Sequence, residues 1–213
     1  MQLQMIDDRC KTMPWDEIDN VVFDVGNVLL TFSPDKILAE VLPGCPEKYP
    51  ALKHAVFSSP YWVMMDLGAA SQEELTALMV STAPELKEEI TAIMQNWVRV
   101  KEPIAEGIHA LEACHAHGKK LYVLSNYGRH PFETVESHFD FFRLFDGKVV
   151  SSHIHLLKPD PAIYRHLTDT FGLEPARTLF IDDNPPNICA AIWAGWQGLC
   201  FNRQGKLNRF FGE

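Results

Sequence analysis

The 213-residue chain has no apolar run long enough to cross a bilayer, no excess of basic residues, no cysteines paired at metal-ligand spacing and no internal repeat. Each absence removes a class of function. A membrane span needs roughly 20 consecutive apolar residues, so no membrane partner is expected. Lys and Arg number 19 against 28 Asp and Glu, a net charge of −9, which offers nucleic acid no electrostatic footing. The five cysteines (Cys10, Cys45, Cys114, Cys189, Cys200) are scattered and odd in number. They read as reduced thiols of a cytoplasmic protein, not as a disulfide framework or a zinc site. Residues 1–20 carry five acids and lack the basic-then-apolar order of a secretion signal, so they read as a lead-in to the first strand. No long apolar stripe is left over, and a monomer is expected. What is present is an ordinary globular composition, 46% hydrophobic and 22% charged, enough for one good core and a smaller appended unit.

The stretch that organises the chain is Val21-Val22-Phe23-Asp24-Val25-Gly26-Asn27-Val28-Leu29-Leu30. Its β-branched start predicts a strand buried on both faces. Asp24 then falls at the strand's C-terminal end, where open α/β sheets hold their ligands. A carboxylate there needs compensation from a metal or from a distant lysine.

From residue 34 to about 100 the pattern is helical, with segments expected at 34–42, 46–58, 71–82 and 85–99. Ser33-Pro34 supplies an N-cap and a first-turn proline, and Ser71 with Glu74 has capping-box spacing. Met64, Met65, Met79, Met94 and the tryptophans read as core packing. Beyond residue 103 helices alternate with strands. Helices are expected at 104–116, 131–138, 161–171 and 187–194, and strands at 121–124, 147–151, 178–181 and 198–201. Asp160-Pro161 opens one helix, while Gly118, Gly172 and Gly195 close others. The order β, helical block, then α-β repeated predicts an α/β fold, a doubly wound parallel sheet with an inserted helical unit. The expected boundaries are a core of residues 1–33 and 101–213 and a helical insertion of residues 34–100.

In a parallel sheet the strand ends point one way. Asp24, Ser125-Asn126, Lys158 and Asp182-Asp183 should therefore converge. Asp24 and Asp183 offer hard oxygen ligands suited to Mg²⁺. Ser125 offers a hydroxyl and nearby backbone N–H groups, and Lys158 a point positive charge. A carboxylate facing a metal, a lysine and a hydroxyl is a phosphate site with a nucleophile in it. Competing structural readings make Asp24, Asp182 and Asp183 caps, Ser125 a turn residue and Lys158 a solvated loop lysine. His115 and His117 read as exposed at a helix end, and His153 and His155 as packed or hydrogen-bonded. Tyr61, Trp62 and Tyr127 are candidates for a pocket wall.

These four segments resemble the four motifs of the haloacid dehalogenase-like hydrolase superfamily: Phe23-Asp24-Val25-Gly26-Asn27-Val28-Leu29, Leu124-Ser125-Asn126, Lys158-Pro159-Asp160, and Ile181-Asp182-Asp183 followed by Asn187. The helical block resembles that superfamily's first class of cap, and Asp66-Leu67-Gly68-Ala69-Ala70-Ser71 is similar to its acidic-x-Gly-x-x-Ser step. The Asp-x-Gly-Asn form looks most like the sugar-phosphate phosphatase and epoxide-hydrolase N-terminal branch. The resemblance implies a Rossmann-like core under a helical cap. It implies Asp24 as the nucleophile that becomes phosphorylated, and Mg²⁺ held by Asp24, the Gly26 backbone carbonyl and Asp183, with Asp182 supporting that site. Ser125 and Asn126 would hold phosphoryl oxygens, with Gly26 and Asn27 beside them. Lys158 would neutralise charge between nucleophile and phosphate, and Asn187 would stand behind.

One position departs from the family pattern. Most phosphatases of the family carry a second Asp two residues after the nucleophile, which protonates the leaving oxygen. Here that residue is Gly26. Either the leaving group needs no help, or Asp66, Arg129 or His130 replaces the acid, or the protein turns over slowly or not at all. The expected function is a Mg²⁺-dependent phosphatase of a small phosphorylated metabolite, with a sugar phosphate as one candidate. The alternatives are a metal-independent 2-haloacid dehalogenase, against which Gly26 and Asp182-Asp183 argue, and a catalytically silent domain that binds a phosphometabolite.

Overall fold

The computed structural model describes residues 15–201; Cys10 and most of the acidic lead-in lie outside the described residues. Strands β1 (Asn20–Phe23), β2 (Lys120–Ser125), β3 (Gly147–Val150), β4 (Thr178–Asp182) and β5 (Gln197–Cys200) pair in the order β3-β2-β1-β4-β5, all in parallel. The central strand ends level with its neighbours, since Phe23 stands opposite both Val123 and Ile181. The residues that follow these three strands are thereby brought to one edge.

Alternation along the strands divides the core between two faces. Val21, Phe23, Leu121, Val123, Leu179 and Ile181 point to one face and Val22, Tyr122, Leu124 and Phe180 to the other. The first face packs on α5 (Ala105–Ala116) and α6 (Arg129–His138) through Leu111, Cys114, Phe132 and Val135. The second packs on α7 (Pro161–Phe171) and α8 (Pro185–Trp193) through Ile163, Leu167, Ile188 and Ala191. Helices on both faces of a parallel sheet make the doubly wound α/β arrangement expected from the alternating pattern.

The stretch between β1 and α5 is helical, as expected, and carries α1 (Pro34–Val41), α2 (Pro60–Leu67), α3 (Gln72–Thr82) and α4 (Lys87–Asn96). Ser33 caps its first helix (Pro34–Val41) by accepting the Lys36 N–H, with Pro34 in the first turn. Pro46–Phe57 is one continuous helical run that changes winding from 3₁₀ through α to π. Ser71 and Glu74 form a full capping box on the helix Gln72–Thr82, and Lys87–Asn96 follows. Leu75, Met79, Ile90, Ile93, Met94 and Trp97 bury their apolar faces in the same cluster as the first sheet face. Met65 is also buried, so the methionines pack as expected.

Four details differ from the sequence reading. The helix Pro60–Leu67 was not anticipated, although it carries ordinary punctuation: Ser59 accepts the Trp62 N–H, Pro60 opens it, and Gly68 closes it at φ +70. Strand β3 stops at Val150, because the Ser151 hydroxyl turns aside, accepting the Tyr127 N–H and donating to the Asp66 carbonyl, and Ser151–Ile154 forms one turn of helix instead. The helix expected at 187 begins at Pro185, whose ring suits the first turn. Trp193, assigned to the core with the other tryptophans, is 84% exposed at the end of α8. The described cysteines are free thiols, and burial pushes the Cys114 thiol up to about 12, which leaves it unreactive.

Candidate active site

Asp24 leaves the end of β1 with its backbone N–H bonded to the Ile181 carbonyl, 2.9 Å away. Its Oδ1 accepts from the Val25 N–H at 2.7 Å and from the Ser125 hydroxyl at 2.8 Å. Lys158 Nζ lies 2.9 Å from the same oxygen and 2.7 Å from Asp182 Oδ2. Asp24 Oδ2 receives no hydrogen bond from the described residues and is the oxygen left for chemistry. The compensation that a buried strand-end carboxylate requires is thus supplied by Lys158, which is itself buried and not a solvated loop residue.

Each partner is held in turn. Asn126 grips the backbone of Lys158 from both sides: its Nδ2 donates to the Lys158 carbonyl at 3.0 Å and its Oδ1 accepts the Lys158 N–H at 2.8 Å. Asp182 is fully buried, and its oxygens accept from Lys158, from the Asn184 N–H at 2.7 Å and from Asn187 Nδ2 at 3.0 and 3.1 Å. Asn27 takes the left-handed conformation at φ 55, accepts the Phe32 N–H at 3.0 Å and hydrogen-bonds Asp183. The left-handed step suits an Asn, whose short polar side chain tolerates it. Every sequence-predicted site residue therefore lies in one constellation. Within it the side chains of Asn126, Asn187 and Asn27 are engaged with Lys158, Asp182 and Asp183.

Burial pushes the Asp24 carboxyl up to about 6; the Asp182 charge adds to the rise and Lys158 opposes it. Burial works against the Lys158 ammonium, but the two carboxylates outweigh it and hold the group above its ordinary value. Asp183 is raised by burial and by the Asp182 charge. Carboxylate oxygens of Asp24, Asp182 and Asp183 lie within 4.8 Å of one another. Three carboxylates around one ammonium leave a surplus of negative charge, and the donors are hard oxygens. Both properties suit Mg²⁺.

The site opens into a cavity of about 270 Å³. Its other half is lined by Phe32, Trp62, Asp66, Trp97, Lys101 and Tyr127. Trp97 stacks on Tyr127 with ring centres 5.7 Å apart, and Trp62 packs on Trp97 at 5.0 Å. Trp62 and Tyr127 thus stand in the pocket wall as considered from sequence, whereas Tyr61 lines a separate hollow. Arg129 and His130, considered as substitutes for the missing acid, are exposed at the start of α6 and do not line this cavity. His115 and His117 are exposed; His153 packs edge-on to Phe132 and His155 hydrogen-bonds the Leu67 carbonyl. Phe32 and Lys101 were not singled out from sequence. The available signal was Lys101 itself, placed directly after Trp97-Val98-Arg99-Val100 and just before the second α/β half that opens at Pro103.

This fold and this constellation define a hydrolase of the α/β class that works from the edge of a parallel sheet. The sequence matches the haloacid dehalogenase-like hydrolases over residues 18–195, and the chain belongs to that family. A sesquiterpene phosphatase of Aspergillus oryzae is 25% identical over 181 residues, covering 84% of this chain and 87% of that protein. A solved structure of a mutant of a family enzyme from Bacteroides thetaiotaomicron, in complex with magnesium and inorganic phosphate, superposes with a TM-score of 0.73 at 17% identity, over 92% of this chain and 100% of the other. An L-2-haloacid dehalogenase of Xanthobacter autotrophicus with chloropropionic acid covalently bound superposes with a TM-score of 0.66 at 18% identity, over 90% of this chain and 81% of its own. These solved structures share the fold.

Proposed function

We propose that this chain is a Mg²⁺-dependent phosphatase acting on a small phosphorylated metabolite, a sugar phosphate being one candidate, through a phosphorylated Asp24. The observation that carries the reading is the single Lys158 ammonium shared by Asp24 and Asp182, with the Asp183 carboxylate beside them. A dehalogenase attacking carbon has no evident use for this surplus of carboxylates.

The residues divide the work. Asp24 Oδ2 is the nucleophile, and Oδ1 is pinned by Val25, Ser125 and Lys158 so that the carboxylate presents one face. The Lys158 ammonium and the Ser125 hydroxyl take up charge on the phosphoryl oxygens. Asn126 fixes Lys158, and Asp182 with Asn187 holds it against Asp24. Asp24, Asp183 and the Gly26 carbonyl would hold Mg²⁺, with Asp182, whose oxygens are already engaged, behind them. When bound, the ion supplies positive charge to the phosphoryl oxygens. The helical insertion of residues 34–100 acts as a cap that shields the cavity from water, in a monomeric cytoplasmic protein.

The test is phosphate release from a panel of sugar, acyl and aryl phosphates, with Mg²⁺ and then with EDTA. Release that requires Mg²⁺ and is abolished in Asp24→Asn is the expected result. EDTA-resistant chloride release from 2-chloropropionate would replace the reading with dehalogenation. Tight phosphate-ester binding with no turnover would replace it with a silent binding domain.

A further inference from the structure

The family's usual proton donor is absent, since residue 26 is glycine, and the structure shows that space does not forbid one: a Cβ at Gly26 would meet no atom within 4 Å. The protein has left that place open. The backbone on that side of the site leads to another candidate. Gly26 bridges to Leu30, and Leu30 bridges to Pro103. The Thr31 N–H bonds the Glu102 carbonyl at 2.9 Å, and the Glu102 N–H bonds the Thr31 hydroxyl at 3.1 Å. The two linkers that join the sheet to the helical block therefore run side by side, starting from Gly26, and Lys101 stands on the second of them.

Lys101 is only 7% exposed and lines the same cavity as Asp24. Its ammonium makes no hydrogen bond or ion pair with the described residues. It lies over the ring faces of Phe32, 4.2 Å from the centroid, and of Trp97, at 4.9 Å. Its charged neighbours in sequence are committed elsewhere: Glu102 pairs with Lys36, and Arg99 donates to Asn96. The titratable groups that act on it are Asp66, from the helical block, and Asp24, which line the same cavity. A buried ammonium without a counter-ion is costly, and a fold keeps one where a ligand or a reaction uses it.

We propose that Lys101 is the proton donor that replaces the missing acid, resting on the phosphatase reading above. Asp24 Oδ2 bonds to phosphorus, the bond from phosphorus to the leaving oxygen breaks, and that oxygen takes a proton from the Lys101 ammonium. The neutral amine then takes a proton from the water that attacks the phosphorylated Asp24, which restores both the ammonium and the free carboxylate. The sum is ester plus water giving alcohol plus phosphate. Burial supports the role by lowering Lys101 to about 7, against the pull of Asp66 and Asp24, so the group gives and retakes a proton near neutral pH. The two ring faces tolerate the cation without fixing its proton.

Leaving-group dependence tests this. In the wild type, Lys101→Met and Lys101→Arg, kcat/KM is measured on glycerol phosphate, a poor leaving group, and on 4-nitrophenyl phosphate, a good one. Lys101→Met should lose roughly a hundredfold or more on the first ester and only a few-fold on the second. Lys101→Arg keeps the charge but cannot release a proton, so it should lose as Lys101→Met does. Adding Gly26→Asp to Lys101→Met should recover at least about tenfold on glycerol phosphate, since proton donation is the function restored. Equal losses on both esters, or an undiminished Lys101→Arg, overturn the proposal. Side-chain NMR of Lys101 in the wild-type protein adds a readout free of turnover: titration well below the ordinary lysine value is expected, and ordinary titration overturns the proposal. A wild type that releases phosphate from no ester marks the failure of the phosphatase reading; an active wild type with uniform losses marks the failure of Lys101 alone.

Discussion

Lys158 Nζ stands 2.9 Å from Asp24 Oδ1, the longer end of a bridge that joins two strand ends through one ammonium. The other end reaches Asp182 Oδ2 at 2.7 Å, and neither the lysine nor Asp182 is open to solvent. Removing the charge leaves two buried carboxylates without their cation.

Lys158→Met should therefore cost stability as well as turnover. Breaking a buried ion pair by deleting one partner costs about 3–5 kcal/mol. Denaturant unfolding should show a loss of that order, together with the disappearance of phosphate release. A variant of wild-type stability would show that the carboxylates are neutralised in another way.

Gly107 on α5 predicts a second effect on the site, from a distance. A Cβ there would lie 1.9 Å from the Val28 carbonyl oxygen, within the loop that follows Asp24. Gly107→Ala must push helix and loop apart, an overpacking cost of about 1–3 kcal/mol. Gly26→Ala meets nothing within 4 Å and should leave stability within about 0.5 kcal/mol of the wild type. Thermal melts of the two variants should separate clearly; equal melting temperatures would contradict the packing described.

Asp66 should make stability depend on pH. Burial pushes its carboxyl up to about 7; the Asp24 charge adds to this, while Lys101, Lys158 and the Gly128 N–H oppose it. The folded chain then holds a proton that the unfolded chain has released, so the contribution is full below about pH 4 and is lost as pH rises through about 7. Asp66→Asn should flatten the stability profile between those values and gain relative to the wild type at pH 8. A profile unchanged by the substitution would place Asp66 in a wetter setting.

How much of this was legible follows from the range of each interaction. Short-range signals were written plainly. Ser33-Pro34, Ser71 with Glu74, and Asp160-Pro161 cap their own helices through bonds a few residues long. The helix Pro60–Leu67 used the same kind of signal and could have been read. The strands were legible because parallel strands covered on both faces are apolar throughout, and the polar groups that end β1, β2 and β4 then had to share one edge. Trp193 was misplaced because its neighbours fix where it sits on the helix, but nothing local shows whether another element covers that place.

By itself, then, the sequence determined the alternation of helices and strands, the helical insertion and the set Asp24, Ser125, Asn126, Lys158, Asp182 and Asp183. Only the tertiary structure decided which partner each group takes: that Asn126 grips Lys158, that Asp182 is already engaged, and that among the described residues Asp24 keeps one oxygen free and Lys101, between Phe32 and Trp97, has no counter-ion. The reason is physical. Secondary structure follows from periodicity and capping over a few residues, whereas hydrogen-bond partners and buried charges depend on distances of a few ångströms between segments that meet only when the sheet, both linkers and the helical block are assembled.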